Sequence, residues 1–299
     1  MKLESQMKFY PDGVHINVYR TQDGQLVETA VFGGPAYHKT MISVSSQIGC
    51  PVRCDFCKGG ESRFVRNITP EEYLRQVDGA LAIENNVEWF DQKKEVKVCF
   101  TRAGEPFLNE HTLDGLESIA EAYHPSFQLA SVMPNTEISR RLIEKMKQYL
   151  ATYDDSFQIN VSMHTSDEGK RKRMMHDYPA LMSFIEISQF GEEWVSAMPA
   201  LVRRKVNLSF VLMEDNEIDL KKIRKIFDPN YFAIRLAIYL PNTRETAERH
   251  PASTEERMAE KAEEAKTTGF DCIESRPGNI EQIWNTRPWS AFTMLRNTE

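Results

Sequence analysis

No stretch of this chain approaches the roughly 20 consecutive apolar residues that a membrane-spanning helix needs. The opening residues, MKLESQMKFYPDG, hold no apolar core of the kind a secretory signal carries. Both absences predict a cytoplasmic protein with no membrane partner. Positive charge is scarce as well: 37 Lys and Arg stand against 44 Asp and Glu, a net charge of −7. Proteins that grip long nucleic acids present a basic surface, because phosphate contacts supply much of the affinity. A large RNA or DNA is therefore the less favoured partner. There is no internal repeat and no low-complexity linker. Cysteines number only five, three of them in one cluster, which is no disulfide framework. In a reducing compartment such a cluster binds metal or does redox chemistry.

What is present is an ordinary globular balance, 41% hydrophobic and 27% charged over 299 residues, enough for one large α/β domain or two smaller ones. The first fifty residues read as short strands: VHINVYR and QLVETAVF alternate on either side of a turn at Asp23-Gly24. From residue 42 onward, strand and helix follow one another. ISVSSQIG, EVKVCF, FQLASV, FQINVSMH, VNLSFVL, FAIRLAIYL and FDCIES are strands. Between them lie helical stretches, one capped by Thr69 with Pro70 and Glu72 and running to about residue 84, another over 255–267 closed by Gly269. This alternation predicts an α/β fold with a parallel sheet, a partial (β/α)6 TIM-like barrel with a small N-terminal β extension. The expected division is 1–41 for the extension, 42–276 for the barrel and 277–299 for a tail over its mouth. Residues 168–201 read less clearly, and their basic run KRKR (170–173) reads as a solvated face.

The cluster stands in SSQIGCPVRCDFCKGG (residues 45–60), where Cys50, Cys54 and Cys57 are spaced C-x3-C-x2-C in the loop after the first core strand. Three thiolates hold three irons of a [4Fe–4S] cluster and leave the fourth iron open, whereas a purely structural cluster takes four cysteines. Zinc held by the three cysteines and His38 or His111 is the alternative. Cys99 and Cys272 fall in predicted buried strands and read as small core residues.

The spacing, with Phe56 just before the last cysteine, resembles the signature of radical S-adenosylmethionine (SAM) enzymes. That resemblance implies SAM chelated by the open iron and cleaved, by one electron from the cluster, to methionine and a 5′-deoxyadenosyl radical. It also implies an electron donor such as a flavodoxin or ferredoxin. In TRAGEPFLN, Gly104, Glu105 and Pro106 resemble the family's GEP element at the SAM amino group, with Glu105 expected in the chemistry. At later strand ends, Ser131, Ser162 and His164 are the expected contacts to the SAM carboxylate and ribose, and Asn242 to the adenosine. Several stretches in order (DGQLVETAVF, SVSSQIGCPVRCDFC, FVRNITPEEYLRQV, AGEPFLN and VSMH) further resemble the RlmN/Cfr-type enzymes, which methylate an adenine C2 or C8 in ribosomal RNA.

Two residues depart from that subgroup. Its methyl transfer uses a resolving cysteine seven positions before the cluster and a methyl-carrying cysteine near the C-terminus. Ser43 and Trp284 stand there instead, and Cys272 lies twelve residues before Trp284. A hydroxyl does not replace a thiol that must ionise near neutral pH. The expectation is a radical SAM enzyme that takes hydrogen from a small molecule or nucleotide, with Trp284 at the pocket and rRNA methylation lost. An RNA-modifying relative with altered chemistry and a non-catalytic iron–sulfur or zinc protein are the alternatives.

Overall fold

The computed structural model describes residues 1–9, 13–33, 37–84, 94–152, 157–199, 203–241 and 244–275. Three antiparallel strands come first, β1 (Lys2–Phe9), β2 (Val14–Arg20) and β3 (Leu26–Phe32). Gly24, at φ +81°, makes the β2–β3 turn. Strand β4 (Thr40–Val44) follows, and a short antiparallel pair, β5 (Gln47–Ile48) with β6 (Arg66–Asn67), brackets the cysteine loop. The remainder alternates: α1 (Pro70–Glu84), β7 (Val96–Phe100), α2 (Thr112–Tyr123), β8 (Ser126–Ser131), α3 (Glu137–Thr152) and β9 (Phe157–Ser162). Then come α4 (Glu168–Met174), α5 (Phe184–Ala197), β10 (Val206–Leu212), α6 (Leu220–Arg224) and β11 (Phe232–Ile238). Helices α7 (Arg244–Arg249) and α8 (Glu255–Thr267) and strand β12 (Cys272–Ser275) end the described chain.

One ten-stranded sheet holds the order β1-β2-β3-β4-β7-β8-β9-β10-β11-β12. It is antiparallel up to β4 and parallel from β4 to β12. Six strand–helix units and a last strand give the partial barrel that the sequence predicts, with β1 and β12 as open edges among the described residues. The N-terminal strands continue the same sheet. No helix among the described residues is long and apolar enough to cross a membrane.

The parallel strands alternate in chemistry. Ile42, Val98, Phe100, Phe127, Leu129, Ile159, Leu208, Phe210, Ile234 and Leu236 belong to the core under the helices. Their alternate neighbours, among them Ser43, Cys99, Gln128, Asn160, Ser209 and Arg235, line an interior cavity of about 660 Å³. A TIM barrel usually fills its centre with branched apolar side chains. Here the inner face is polar, so the interior is a chamber.

Helix starts follow local rules. Thr69 and Glu72 form a capping box: Glu72 N donates to Thr69 Oγ1 at 3.2 Å, and Thr69 N donates to Glu72 Oε2 at 3.1 Å. Arg66 links Glu72 (2.7 Å) to Asp23 (2.8 Å), tying the β2–β3 turn to the start of α1. Ser183 and Glu186 form a second capping box on α5.

Helix α5 lies so close to β11 that a Cβ on Gly191 would stand 2.0 Å from Phe232 Cζ. Phe232 is fully buried, so its ring has no free space to move into. Gly191→Ala is expected to destabilise the fold by about 1–3 kcal/mol despite the better helix propensity of alanine. Chemical denaturation measures this, and an unchanged midpoint would contradict the close approach.

Candidate active site

The cysteine loop starts at Gly49, whose φ of +75° no side chain could share: an added Cβ would lie 2.0 Å from Arg63 O. Cys50 N then donates to Ser62 O (3.4 Å), Asp55 N to Met174 O (3.0 Å) and Cys57 N to Cys54 O (3.1 Å). Cys50 and Cys54 pack against Val52, Val132 and Met175. The three thiols feel one another and Glu105 electrostatically, and burial pushes the Cys50 thiol up to about 12 and Cys54 well above its ordinary value. Sulfurs gathered in so apolar a pocket become thiolates only beside compensating positive charge. Three soft donors and no fourth therefore fit an iron–sulfur cluster with one open iron.

Expected SAM contacts gather on the same side. Gly104 adopts φ +95°, and a Cβ there would lie 2.6 Å from Gln47 Cβ. Its neighbour Glu105 is buried; Oε1 accepts from Phe107 N (3.1 Å) and Oε2 from Val132 N (2.9 Å), while Glu105 N donates to Gln47 Oε1 (2.9 Å). Burial raises the Glu105 carboxyl to about 7, and Arg171 works in the opposite direction. Pro106 opens a short 3-10 turn. Ser131 Oγ accepts from Met133 N at 2.8 Å. Ser162 and His164 line the cavity. His164 is buried at φ +60°, its Nδ1 accepting from Val211 N (3.2 Å) and its ring 4.8 Å from that of Phe56. Burial, and then Arg171, lowers the imidazole to about 3. Asn242 and Trp284 lie outside the described residues.

The KRKR run corrects the sequence expectation. Lys172 and Arg173 are exposed, but Arg171 is 1% exposed. Its guanidinium donates to Val132 O (2.6 Å), Ser162 O (3.1 Å) and Met182 O (3.4 Å), tying the ends of β8 and β9 to the start of α5. It is also the cation that Cys54, Glu105 and His164 feel. The signal available in the sequence was the helical spacing of Arg171 from Met175, which is also buried.

Cys99 is buried as expected but faces the cavity, side by side in register with Ser43. Ser43 Oγ is hydrogen-bonded to Thr101 Oγ1. Burial pushes the Cys99 thiol up to about 11.

The chain is similar to known proteins. The Radical SAM superfamily pattern matches residues 44–225. A protein named as a probable dual-specificity RNA methyltransferase RlmN from Trichodesmium erythraeum is 26% identical over 207 residues, 68% of this chain and 53% of that protein. The protein of the same name from Endomicrobium trichonymphae is 31% identical over 180 residues, 59% of this chain and 47% of its own length. The chain spans about half the length of the curated relatives it matches. A solved radical SAM methyltransferase from Sphaerobacter thermophilus superposes with a TM-score of 0.72 at 19% identity, covering 94% of this chain and 78% of that one, which shows a shared fold.

Two outcomes follow from the site. Arg171→Met strands three buried carbonyls and is expected to lower stability by about 3 kcal/mol or more, whereas Lys172→Met should stay within about 0.5 kcal/mol. Equal effects in chemical denaturation would contradict the assigned role. The folded value of His164, about 3, lies below its ordinary 6.5. The unfolded chain therefore takes up the proton first, and stability present above about pH 6.5 is lost as pH falls toward 3. The His164 share of that slope is about 1.4 kcal/mol per pH unit below pH 6. Denaturation midpoints from pH 7 to 5 should fall less steeply in His164→Gln, and identical slopes would refute the buried neutral imidazole.

Proposed function

The chain belongs to the radical SAM superfamily, and from that premise we propose that it cleaves SAM reductively and uses the resulting radical to take hydrogen from a small molecule or nucleotide, without methylating ribosomal RNA. When bound, a [4Fe–4S] cluster held by Cys50, Cys54 and Cys57 supplies the electron that splits SAM into methionine and a 5′-deoxyadenosyl radical. A reduced flavodoxin- or ferredoxin-like partner provides that electron, and the cytoplasm is the compartment where such a donor and reduced thiols persist.

The protein's own groups have separate roles on this reading. Glu105 is held by backbone N–H groups of Phe107 and Val132 and by the Ser131 hydroxyl, and its remaining acceptor capacity is offered to the SAM ammonium. Gly104 and Pro106 fix the turn that presents it. Ser131, Ser162 and His164 line the rim for the carboxylate and ribose. His164 stays uncharged at neutral pH and so adds no charge beside the cation of SAM. On this reading residues 42–276 are the catalytic core and 1–41 its β extension; the roles the sequence suggests for 277–299, Asn242 and Trp284 fall outside the described residues. Holding the substrate carbon beside the radical and keeping water out is the remaining task of the chamber.

The observation that carries the loss of methyl transfer is Ser43. Its hydroxyl faces the chamber and is hydrogen-bonded to Thr101, where the subgroup resemblance expects a thiol. One observation favours the second reading, an RNA-modifying relative: the Cys99 thiol lies one strand away on the same wall. With its thiol raised to about 11, however, Cys99 is protonated at neutral pH, unlike a resolving thiolate.

Anaerobic reconstitution with iron and sulfide, then reduction in the presence of SAM, tests the proposal. The expected result is about four irons per chain, lost when the three cluster cysteines become alanine, and release of 5′-deoxyadenosine without S-adenosylhomocysteine. S-adenosylhomocysteine alongside deoxyadenosine would restore the methyl-transfer reading. Absence of deoxyadenosine would overturn the radical chemistry.

A further inference from the structure

The chamber contains a cation that none of the roles above uses. Arg235, on β11, points inward among Ser43, Cys99, Asn160 and Ser209. It makes no hydrogen bond or ion pair among the described residues, and it is half-buried, with its nitrogens open to the chamber. Its partner in register on β10 is Ser209, whose buried Oγ also lacks a hydrogen-bond partner among the described residues. The other chamber guanidinium, Arg102, is already held by Glu28 at 3.4 Å, with both side chains buried. Lys97 on β7, two residues before Cys99, feels the positive charge of Arg235. Glu274 on β12 lines the chamber without pairing with Arg235.

A half-buried guanidinium with no counter-charge, open to a chamber beside an unpartnered buried hydroxyl, is placed to take an anion from that chamber. A guanidinium fork matches two oxygens of a carboxylate or phosphate, and a neighbouring hydroxyl donates a further hydrogen bond. We propose that Arg235 and Ser209 form a substrate subsite for the oxyanion, carboxylate or phosphate, of a small molecule. This rests on the radical-enzyme reading and names the substrate class of the same site. The carboxylate of SAM is a poorer occupant on the roles proposed above, which give it Ser131, Ser162 and His164 instead of Arg235. The chamber, about 660 Å³, is in the range of small-ligand sites.

The test is calorimetric titration of the reconstituted, SAM-loaded protein with benzoate and with phenyl phosphate, using benzamide as the neutral control. One anion is expected to bind where benzamide does not, and which one binds distinguishes carboxylate from phosphate. Arg235→Gln should weaken that binding about tenfold or more, Arg235→Lys less, and Ser209→Ala several-fold. Iron content reports folding, and if Arg235→Gln fails to assemble, the lysine and Ser209 variants decide. The proposal is overturned if benzamide binds as well as the anions, if neither anion binds, or if the variants keep full affinity. It is also overturned if Arg235→Gln weakens SAM by the same factor, which would assign the guanidinium to SAM. Anion binding needs no turnover. A wild-type protein that binds the anion yet makes no deoxyadenosine would thus refute the radical reading and leave the subsite standing.

Discussion

The segment that leaves β4 toward the thiols runs through the protein interior, and every backbone polar group it buries needs a partner there. Two amides supply most of them. Gln76, from α1, accepts from Ser45 N (2.8 Å) and donates to Ser45 O (3.1 Å). Asn109 donates to Ser46 O and Ile68 O, both at 2.8 Å, and to the Tyr73 hydroxyl at 3.0 Å. Ala103 O accepts from Ser46 N and Gln47 N, and Gln47 Oε1 accepts from Glu105 N. The loops after β4 and β7 are therefore one hydrogen-bonded unit. The thiols and Glu105 are positioned against each other by that unit rather than by their own contacts. Each bond adds only about 1 kcal/mol net, but leaving one buried partner unmade costs more, which makes the unit stiff.

A second constraint is the polar inner face of the sheet. Alternation sends apolar residues to the helices and Ser, Asn, Gln, Thr and Arg inward. Some of these are satisfied within the wall: Asn207 donates to Asn160 Oδ1 at 2.8 Å, and Arg102 meets Glu28. Arg171 closes the wall at the strand ends. Burial raises the Glu105 acid to about 7 and lowers the His164 imidazole to about 3; Arg171 opposes the first shift and adds to the second. The rim is thus a place where burial works against charge and one cation offsets part of the cost for nearby anions.

Much of this was readable. The cap at Thr69-Pro70-Glu72, the αL stop at Gly269 and the order of strands are local signals, and each appears where its residues stand. The cysteine spacing led to the loop itself. Arg171 was not readable as an interior group, because a run of four basic residues looks solvated unless the helix face is known. Cys99 was read as core, since alternation along EVKVCF shows that Val98 and Cys99 face opposite ways but not which face is hollow. Arg235 carried a legible signal, a lone charge between Ile234 and Leu236 in an alternating strand. Its meaning depends on the interior being a chamber. The short antiparallel pair at the cysteine loop and the edge strand β1 depend on long-range pairing that local pattern does not encode.

The wall around Ser43 carries a hydroxyl where the resemblance to the RlmN/Cfr-type enzymes expects a thiol. A resolving thiol must ionise, which needs a nearby cation or hydrogen-bond donors around the sulfur. At this position a hydroxyl is tied to Thr101, and the nearest thiol is raised to about 11 by its burial. The inward cation, Arg235, is felt by Cys99 yet does not offset that burial. Positive charge on this wall thus fails to activate the one sulfur within reach. What it can do is neutralise an anion brought in from outside. A chamber wall with an inward cation, and an uncharged imidazole at its rim, suits an anion, as the subsite proposed above requires.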